Sequence, residues 1–258
     1  SLTYASNISS LNKISSNERY IFKEIDITDR DLLNQVINFY KPTSIMHLAA
    51  ESHVDRSIHN PEVFIKTNIL GTFNLLEESR EYFNKLKPYD KDLFRFHHIS
   101  TDEVYGDLGV IDKPFLESSP YKPSSPYSAT KASSDHLVRA WQRTFYLPTL
   151  VSNCSNNYGP YQNIEKLIPG TIVKAINGDP IPIYGNGSQI RDWLYVKDHA
   201  KALIRVLEEG KIGDTYNIGS RNERTNLEIA TKICSLLDEM VPKKDRKVDN
   251  HGNLIEFI

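Results

Sequence analysis

Cysteine and long apolar runs are scarce in this sequence. Only two cysteines, Cys154 and Cys234, occur in 258 residues, and they form no metal-ligand spacing, so a reducing environment is expected. No apolar run approaches the roughly 18 residues that a membrane-spanning helix needs. The first residues, SLTYASNISS, have neither the basic end nor the apolar stretch of a signal peptide. These absences predict a soluble, cytoplasmic protein.

An excess of charge of one sign is also missing. The sequence has 31 Lys and Arg against 33 Asp and Glu, which gives a formal charge of −2. That balance provides no electrostatic footprint for nucleic acid or for an anionic membrane surface. Hydrophobic residues make up 39% of the chain, which suffices for a sizeable core. The composition therefore predicts a globular protein with neither a nucleic acid nor a membrane as partner.

Glycine is absent from the first 70 residues, since Gly71 is the first of the 12 glycines. A nucleotide-binding α/β domain opens with a strand and a glycine-rich turn, and no such turn precedes the first strand predicted here. Two later glycine clusters, 106–109 and 185–187, lack a flanking strand and helix in the required order. We interpret both clusters as turns rather than phosphate cradles.

Short apolar runs alternate with stretches of helical periodicity along the chain. Strands are predicted at 20–27, 44–50, 94–100, 148–152 and 215–219, with another beginning within 254–258. Helix starts are predicted at Thr28 with Asp31, at Asn60-Pro61-Glu62, at Ser125-Pro126 and at Thr225 with Glu228, and further helices near 165–177 and 197–209. This alternation predicts βαβ units and a parallel sheet. Beyond about residue 160, more frequent proline and glycine indicate a smaller second lobe.

Tyr127 and Lys131 are four residues apart at the start of a predicted helix and therefore share one face. A phenol with a pKa of about 10 is a poor base at neutral pH. A neighbouring ammonium group favours the phenolate, which can take a proton from a sugar or alcohol hydroxyl. The alternative interpretation is a pair of surface residues without a joint role.

A polar cluster, Ser100-Thr101-Asp102-Glu103, follows the strand predicted at 94–100. In open α/β sheets, ligands bind at the carboxyl ends of the strands. Two adjacent carboxylates at that edge can serve as an acid and a base if their environments separate their pKa values. Alternatively, they occupy the first turn of a helix, where acidic residues are favourable.

The sequence resembles the extended short-chain dehydrogenase/reductase family and, within it, the dTDP-glucose 4,6-dehydratases. The resemblance covers essentially the whole chain. It rests on LAAESHVDRSI at 48–58, STDEVYG at 100–106, YSATKASSDHLVRAW at 127–141, NCSNNYGPY at 153–161, EKLIP at 165–169, PIYGNGSQIRDWLYVKDHA at 182–200 and YNIG at 216–219. The acidic pair Asp102-Glu103 is the most discriminating feature, because related epimerases and decarboxylases typically carry small or hydroxyl residues there.

The resemblance implies an α/β fold with a Rossmann-type doubly wound parallel sheet, incomplete at the N-terminus, and a smaller C-terminal α/β lobe. It implies an NAD-binding domain at 1–158 and an interleaved, truncated nucleotide-sugar-binding lobe at 159–258. The family's opening strand, glycine-rich turn, helix and second strand have no counterpart in the sequence, and neither has a tail after Ile258. We therefore expect a fragment of a longer gene product that is neither stable nor active alone.

The resemblance also implies a lyase reaction, in which dTDP-glucose is dehydrated to dTDP-4-keto-6-deoxyglucose with NAD as the bound cofactor. Tyr127, aided by Lys131, takes the proton from the sugar 4-hydroxyl, Thr101 hydrogen-bonds the 4-oxygen, and hydride passes from C4 to NAD. Glu103 then removes the C5 proton, Asp102 protonates the departing 6-hydroxyl, and hydride returns to C6. These residue types suit the chemistry, because elimination of water needs both a base and an acid. Relatives imply a homodimer through helices near 60–80 and 126–146.

Binding residues are carried over from the resemblance in the same way. The implied cofactor-binding residues are Asp26, Ile27, Leu48, Ala49, Ala50, Ser52, Thr67, Tyr127, Lys131 and Asn157. The implied substrate-binding residues are Ser52, Thr101, Asn156, Lys166, Leu167, Pro182, Ile183, Arg191 and Asn226. The guanidinium fork of Arg191 suits a diphosphate, and a salt bridge to Asp192 is the alternative. The three residues at 48–50 are also interpretable as an ordinary strand end.

Two other functions remain open on the sequence. A nucleotide-sugar 4-epimerase or decarboxylase of the same family would use Tyr127 and Lys131 but leave the acidic pair idle. A non-catalytic cofactor-binding protein, inactive through truncation, is the second.

No metal is expected, because His97 and His98 lie on opposite faces of a strand and no third ligand is suitably spaced. The choice of thymidine over uridine rests on the resemblance.

Overall fold

The computed structural model describes residues 2–3, 6–109 and 113–258. The chain divides into two compact units. The first comprises residues 1–6, 12–154 and 200–218, and the second comprises residues 7–11, 155–199 and 219–258. The first unit contains the acidic cluster and the Tyr-x-x-x-Lys pair.

Helices and strands alternate along the described chain. The α-helices are α1 (Arg30–Tyr40), α2 (Val54–His59), α3 (Pro61–Phe64), α4 (Thr72–Lys85), α5 (Pro88–Leu93), α6 (Pro126–Phe145), α7 (Leu167–Asn177), α8 (Val196–Glu209) and α9 (Asn226–Met240). The strands are β1 (Ser44–His47), β2 (Arg95–Thr101), β3 (Thr149–Cys154), β4 (Asn156–Tyr158), β5 (Ile181–Ile183), β6 (Ile190–Tyr195), β7 (Thr215–Ile218), β8 (Glu223–Thr225) and β9 (Ile255–Phe257). A π-helical segment, Ile65–Gly71, joins α3 to α4, and a 3₁₀ turn, Asp102–Tyr105, follows β2.

A four-stranded parallel sheet in the order β1-β2-β3-β7 organises the first unit. Every residue of β2 from Phe96 to Thr101 is buried, as is typical of a parallel strand covered on both faces. The core of this unit combines strand and helix residues: Leu33, Ile37, Leu75, Leu76, Tyr82, Phe94, Phe96, Val138, Leu147 and Val151. The parallel sheet and its helices confirm the predicted α/β fold class.

The second unit contains two small sheets and two packed helices. β4 pairs with β6 in parallel, β6 pairs with β8 antiparallel, and β5 pairs with β9 in parallel. α7 and α9 pack against each other, and their core includes Ala175 and Cys234 beside Ile181 of β5. In the described part of the chain, no helix is both long and apolar enough to cross a membrane.

The strand predicted at 20–27 is wrong, because residues 20–26 adopt no regular structure. A strand requires a hydrogen-bonded neighbour, and no described strand pairs with this segment. Thr28 is not the cap of α1 either. Asp29 caps the helix by accepting from the Leu32 N–H at 3.0 Å, whereas the Thr28 hydroxyl donates to Asp26 Oδ1 at 2.8 Å.

The remaining predicted elements are confirmed with small shifts of their ends. β1 ends at His47 rather than at residue 50, because its pairing with β2 stops at His98. The glycine cluster at 185–187 forms a turn, closed by a hydrogen bond from the Gly187 N–H to the Tyr184 carbonyl at 3.2 Å. Residues 106–109 form neither helix nor strand, so neither cluster has the strand–turn–helix arrangement of a phosphate cradle.

Gly106 occupies a backbone conformation that other residues cannot adopt without strain. Its φ is 95°, and a Cβ at this position would lie 2.4 Å from the Lys122 carbonyl oxygen. Gly106→Ala should therefore lower the free energy of unfolding by about 2 kcal/mol or more, measured by urea denaturation. Gly185→Ala is the control, because it keeps a positive φ but has its nearest neighbour at 3.9 Å, so a loss of about 1 kcal/mol is expected. Equal losses in both variants would contradict the clash.

Candidate active site

The acidic cluster lies where β2 leaves the sheet. Thr101 is the last residue of β2 and caps the 3₁₀ turn that follows, its Oγ1 accepting from the Glu103 N–H at 3.3 Å. Asp102 and Glu103 are the first two residues of that turn and are half-buried. The structure thus has both features considered from the sequence, a strand end at the ligand-binding edge and acidic residues in a first helical turn.

α6 begins with a complete capping box. The Ser125 hydroxyl accepts from the Ser128 N–H at 3.1 Å, and the Ser128 hydroxyl accepts from the Ser125 N–H at 3.0 Å. Pro126 in the first turn suits the helix start, because its missing N–H needs no partner there. Tyr127 follows in that same turn, and its N–H donates to the Ser57 hydroxyl at 3.1 Å. The capping box therefore fixes where α6 begins and, with it, the position of Tyr127 in the first turn.

The Tyr127 phenol is buried, with 9% of the residue exposed. Burial raises the pKa of Tyr127 well above its ordinary value, and the charges of Glu103, Cys154 and Asp102 add to the rise. A hydrogen bond with Thr101 acts in the opposite direction. The structure thus brings the strand-end residues and the phenol together. The sequence predicts a lowered pKa of Tyr127 beside Lys131, whereas burial and the charges of Glu103, Cys154 and Asp102 raise it.

Lys131 is still more deeply buried, with 4% of the residue exposed. Its Nζ donates to the Ile99 carbonyl at 2.9 Å and lies 3.5 Å from His98 Nε2. Burial lowers the pKa of Lys131 from its ordinary value, whereas Asp135 and Cys154 raise it. The ammonium is therefore held against the backbone of β2, two residues before Thr101.

A buried polar cluster behind Lys131 has no counterpart in the sequence-based prediction. Asp135 Oδ1 lies 3.1 Å from His98 Nε2, with both side chains fully buried, and Asp135 Oδ2 accepts from the Tyr121 hydroxyl at 2.7 Å. Arg139 donates to the same hydroxyl at 2.7 Å. The available signal was the spacing of Asp135, four residues after Lys131 and hence on the same helix face.

Several of the cofactor residues predicted in the first unit follow β1, at the carboxyl edge of its sheet. Leu48 and Ala49 follow β1 and are exposed, Leu48 by 56%. Exposed apolar residues at the ligand-binding edge of a parallel sheet fit a flat, partly apolar cofactor. Ala50 is half-buried and Ser52 exposed, while Thr67 is half-buried in the π-helical segment.

Ile27 contacts the π-helical segment and α4, and Asp26 directly precedes it in the chain. The Asn74 side chain donates to the Ile27 carbonyl at 3.3 Å. The Ile27 side chain packs onto Gly71, where an added Cβ would come within 2.6 Å of it. Asp26 is exposed, and its Oδ1 accepts from the Thr28 N–H at 2.8 Å. These contacts fix both residues although the segment forms no strand.

The predicted substrate residues of the second unit fall on several elements. Asn156 and Asn157 lie on β4, Lys166 immediately precedes α7, Leu167 begins α7, Pro182 and Ile183 lie on β5, Arg191 lies on β6, and Asn226 begins α9. The Asn226 N–H donates to the Gln189 carbonyl at 3.0 Å, which joins the start of α9 to the start of β6. Within the unit, the structure thus brings Asn226 close to the strand of Arg191.

Arg191 has an arginine directly opposite it, which the sequence-based prediction missed. β6 and β8 place Arg191 opposite Arg224, and both residues are exposed. Like charges in such a position are unfavourable unless an anion lies between them. The Asp192 carboxylate accepts instead from Ser220 Oγ at 2.6 Å and from the Asn222 N–H at 2.8 Å. The pairing of the arginines depends on strand register, which the sequence does not display.

The histidines of β2 have separate partners, as their predicted opposite orientation requires. His97 bonds the Ser152 hydroxyl, and His98 Nε2 lies 3.1 Å from Asp135 Oδ1. Across the residues that the structure describes, no group of three or more His, Cys, Asp or Glu side chains could hold a metal ion.

A parallel α/β sheet with a Tyr-x-x-x-Lys pair beside the end of a central strand defines an extended short-chain dehydrogenase/reductase. The model of the GDP-mannose 4,6-dehydratase family matches residues 1–255. The chain therefore belongs to this family of nucleotide-sugar dehydratases, which confirms the resemblance drawn from the sequence.

Individual relatives agree with this assignment. The dTDP-glucose 4,6-dehydratase of Neisseria meningitidis serogroup B is 58% identical over 257 residues, covering 100% of this chain and 72% of the relative. The crystal structure of the dTDP-glucose 4,6-dehydratase of Bacillus anthracis in complex with NAD has a TM-score of 0.84 and 40% identity, covering 100% of this chain and 73% of that one. The enzyme of the same name from Streptomyces venezuelae, crystallised with NAD, has a TM-score of 0.86 and 38% identity over the same shares.

Proposed function

We propose that this chain is the catalytic part of an NAD-dependent dTDP-glucose 4,6-dehydratase. The observation that carries the proposal is the cluster at the end of β2, where Thr101 hydrogen-bonds the Tyr127 phenol and the charges of Asp102 and Glu103 act on it. An acid and a base beside the group that deprotonates the 4-hydroxyl are what elimination of water from C5 and C6 needs. Relatives named for this reaction match the whole chain.

NAD, when bound, would supply the hydride acceptor for C4 and the hydride donor for C6. The residues proposed to hold it in the first unit are Asp26, Ile27, Leu48, Ala49, Ala50, Ser52, Thr67, Tyr127 and Lys131, and Asn157 is proposed in the second. The exposed apolar residues after β1 support this assignment, because they would otherwise face water at a sheet edge.

The residues of the chain perform the proton transfers in this proposal. Tyr127 takes the proton of the 4-hydroxyl, with Thr101 hydrogen-bonded to the same oxygen. The resulting 4-keto group acidifies the C5 proton, which Glu103 removes. Asp102 gives a proton to the 6-hydroxyl, which leaves as water. Lys131 is proposed to supply the positive charge that stabilises the phenolate form of Tyr127, which is the form that acts as the base.

The nucleotide diphosphate is the anion proposed for the second unit. Arg191 and Arg224 face the same side of the β6–β8 pair, and two guanidinium groups suit a diphosphate better than one. Asn226 begins the helix that follows β8. Ser52 and Thr101 in the first unit, and Asn156, Lys166, Leu167, Pro182 and Ile183 in the second, complete the proposed substrate set.

Several finer statements follow from the likeness to relatives and stay predictions. These are the thymidine nucleotide, a homodimer, a cytoplasmic location, a domain boundary at 158/159 and the inactivity of residues 1–258 alone, so the variants are studied in the full-length gene product. Each of the two alternative functions differs from the proposal in one measurable respect. An epimerase or decarboxylase does not need Glu103, and a non-catalytic protein turns over no substrate.

Glu103→Gln tests the role of the proposed base. With dTDP-glucose and NAD, the variant should still oxidise C4, so that absorbance of reduced NAD at 340 nm accumulates, while formation of the 4-keto-6-deoxy product falls by about 100-fold or more. Glu239→Gln removes an exposed carboxylate of α9 and should match the wild type. Product formation at the wild-type rate in Glu103→Gln would reject the dehydratase assignment of the acidic pair.

Arg224→Ala tests the second guanidinium. Because its contact with the diphosphate is the same in the bound substrate and in the transition state, the KM for dTDP-glucose should rise about tenfold with little change in kcat. Arg205→Ala, which removes an exposed arginine paired with Glu209 on α8, should leave both constants unchanged. A fall in kcat without a change in KM would show that Arg224 does not bind the diphosphate.

A further inference from the structure

The buried Lys131 ammonium has a hydrogen-bond acceptor and an opposite charge near it. A buried ammonium group is costly unless an opposite charge and hydrogen bonds compensate it. The Ile99 carbonyl at 2.9 Å supplies a hydrogen bond but no charge. Asp135 is fully buried and lies one helical turn further along α6, on the same face.

The neighbours of Asp135 keep its carboxylate ionised. Burial alone raises the pKa of Asp135, but hydrogen bonds from His98 and Tyr121 and the charge of Lys131 bring it below its ordinary value. Tyr121 remains a donor at neutral pH, because burial and the Asp135 charge raise the pKa of its phenol. Asp135 is thus a fixed negative charge at neutral pH.

His98 separates the two charges and is itself neutral, because burial and Lys131 lower its pKa to about 4. His98 Nε2 lies 3.1 Å from Asp135 Oδ1, and an ionised carboxylate only accepts hydrogen bonds, so the single ring proton belongs on Nε2. The described surroundings offer no partner to Nδ1, which agrees with this tautomer. Lys131 then meets an N–H at 3.5 Å rather than an acceptor, and it directs a hydrogen to the Ile99 carbonyl instead.

We infer that Asp135 is a positioning residue of the reaction, whose buried carboxylate keeps the Lys131 ammonium charged and, through His98, directs it at the Ile99 carbonyl. The inference rests on the proposed roles of Tyr127 and Lys131. Arg139, one turn beyond Asp135, is occupied elsewhere. It donates to the Tyr121 hydroxyl and to Thr215 Oγ1 and lies over the Tyr121 ring.

The ionisable groups that act on Lys131, Asp135 and their neighbours come from several elements. They are His47 on β1, His98 on β2, Cys154 on β3, Tyr121 before α6, Tyr127 and Arg139 on α6, and Asp102 and Glu103 in the 3₁₀ turn, which act on Tyr127. The carboxylate in this set that acts on Lys131 is Asp135. Removing the Asp135 carboxylate should therefore change the charge state of Lys131 more than removing any other group of this set.

Asp135→Asn removes this charge with little change in volume. Without it the pKa of Lys131 falls further, so the ammonium loses its proton at a lower pH. Because the reaction uses the charged form, the basic limb of the kcat–pH profile should move to lower pH by about one unit or more. The measurement is turnover of dTDP-glucose by the NAD-loaded protein between pH 6 and 10.

Two variants separate charge from packing. Asp135→Glu restores the carboxylate and should return the basic limb to within about 0.3 pH unit of the wild type, even if the protein melts earlier. Tyr121→Phe removes a hydrogen bond to the same carboxylate but no negative charge, and it should leave the limb in place. An unmoved basic limb in Asp135→Asn would overturn the inference.

A second measurement does not require turnover. The unfolded chain keeps Lys131 protonated up to a pH of about 10.4, whereas folded Asp135→Asn releases the proton earlier, so its stability rises with pH across that interval. The unfolding constant of Asp135→Asn relative to wild type should therefore fall about tenfold between pH 7 and 10 in urea titrations. In a Lys131→Met background the same ratio should not depend on pH.

These two measurements distinguish the possible failures. A wild-type protein that does not convert dTDP-glucose contradicts the proposed function but leaves the urea titrations to judge the charge pair. The inference is overturned if, in the protein that keeps Lys131, the unfolding constant of Asp135→Asn relative to wild type stays constant with pH. This holds whatever the outcome of the turnover assay.

Discussion

The burial of one ammonium group at the edge of a parallel sheet is the constraint on which the rest of the site depends. Lys131 has 4% of its surface exposed, and at such a buried position its ammonium group requires both a hydrogen-bond acceptor and an opposite charge. The Ile99 carbonyl of β2 provides the acceptor. This contact ties α6 to the strand whose end carries Thr101, and so it sets the phenol of Tyr127 beside the acidic pair.

Local sequence and tertiary packing cooperate in that placement. Ser125 and Ser128 close the start of α6, and the four-residue spacing then puts Tyr127 and Lys131 on one face. On the sheet side, a buried strand delivers Thr101, Asp102 and Glu103 to its carboxyl edge. Each feature is ordinary alone, and together they place the Tyr127 phenol near Asp102 and Glu103.

Features encoded in short stretches were predictable from the sequence. The capping serine before α6, the buried strand at 95–101 and the parallel α/β class all follow from spacing and apolar pattern. The segment at 20–27 was predicted wrongly because a strand depends on a neighbour that its own residues do not specify.

The remaining gaps concern long-range electrostatics and strand register. The upward shift of the Tyr127 pKa depends on burial and on Glu103, which lies 24 positions away in the chain. The role of Asp135 needed the position of His98 on another element. Arg224 became a candidate only once the register of β6 and β8 placed it opposite Arg191.

The most direct test of this account is the fate of the hydrogen at C4. The protein, loaded with NAD, would be given dTDP-glucose that carries deuterium at C4, and the product would be analysed by mass spectrometry and NMR. The account predicts loss of one water with the deuterium recovered at C6. An unchanged mass with inverted configuration at C4 would contradict it, because hydride would then return to the carbon it left and the acidic pair would have no part in the chemistry.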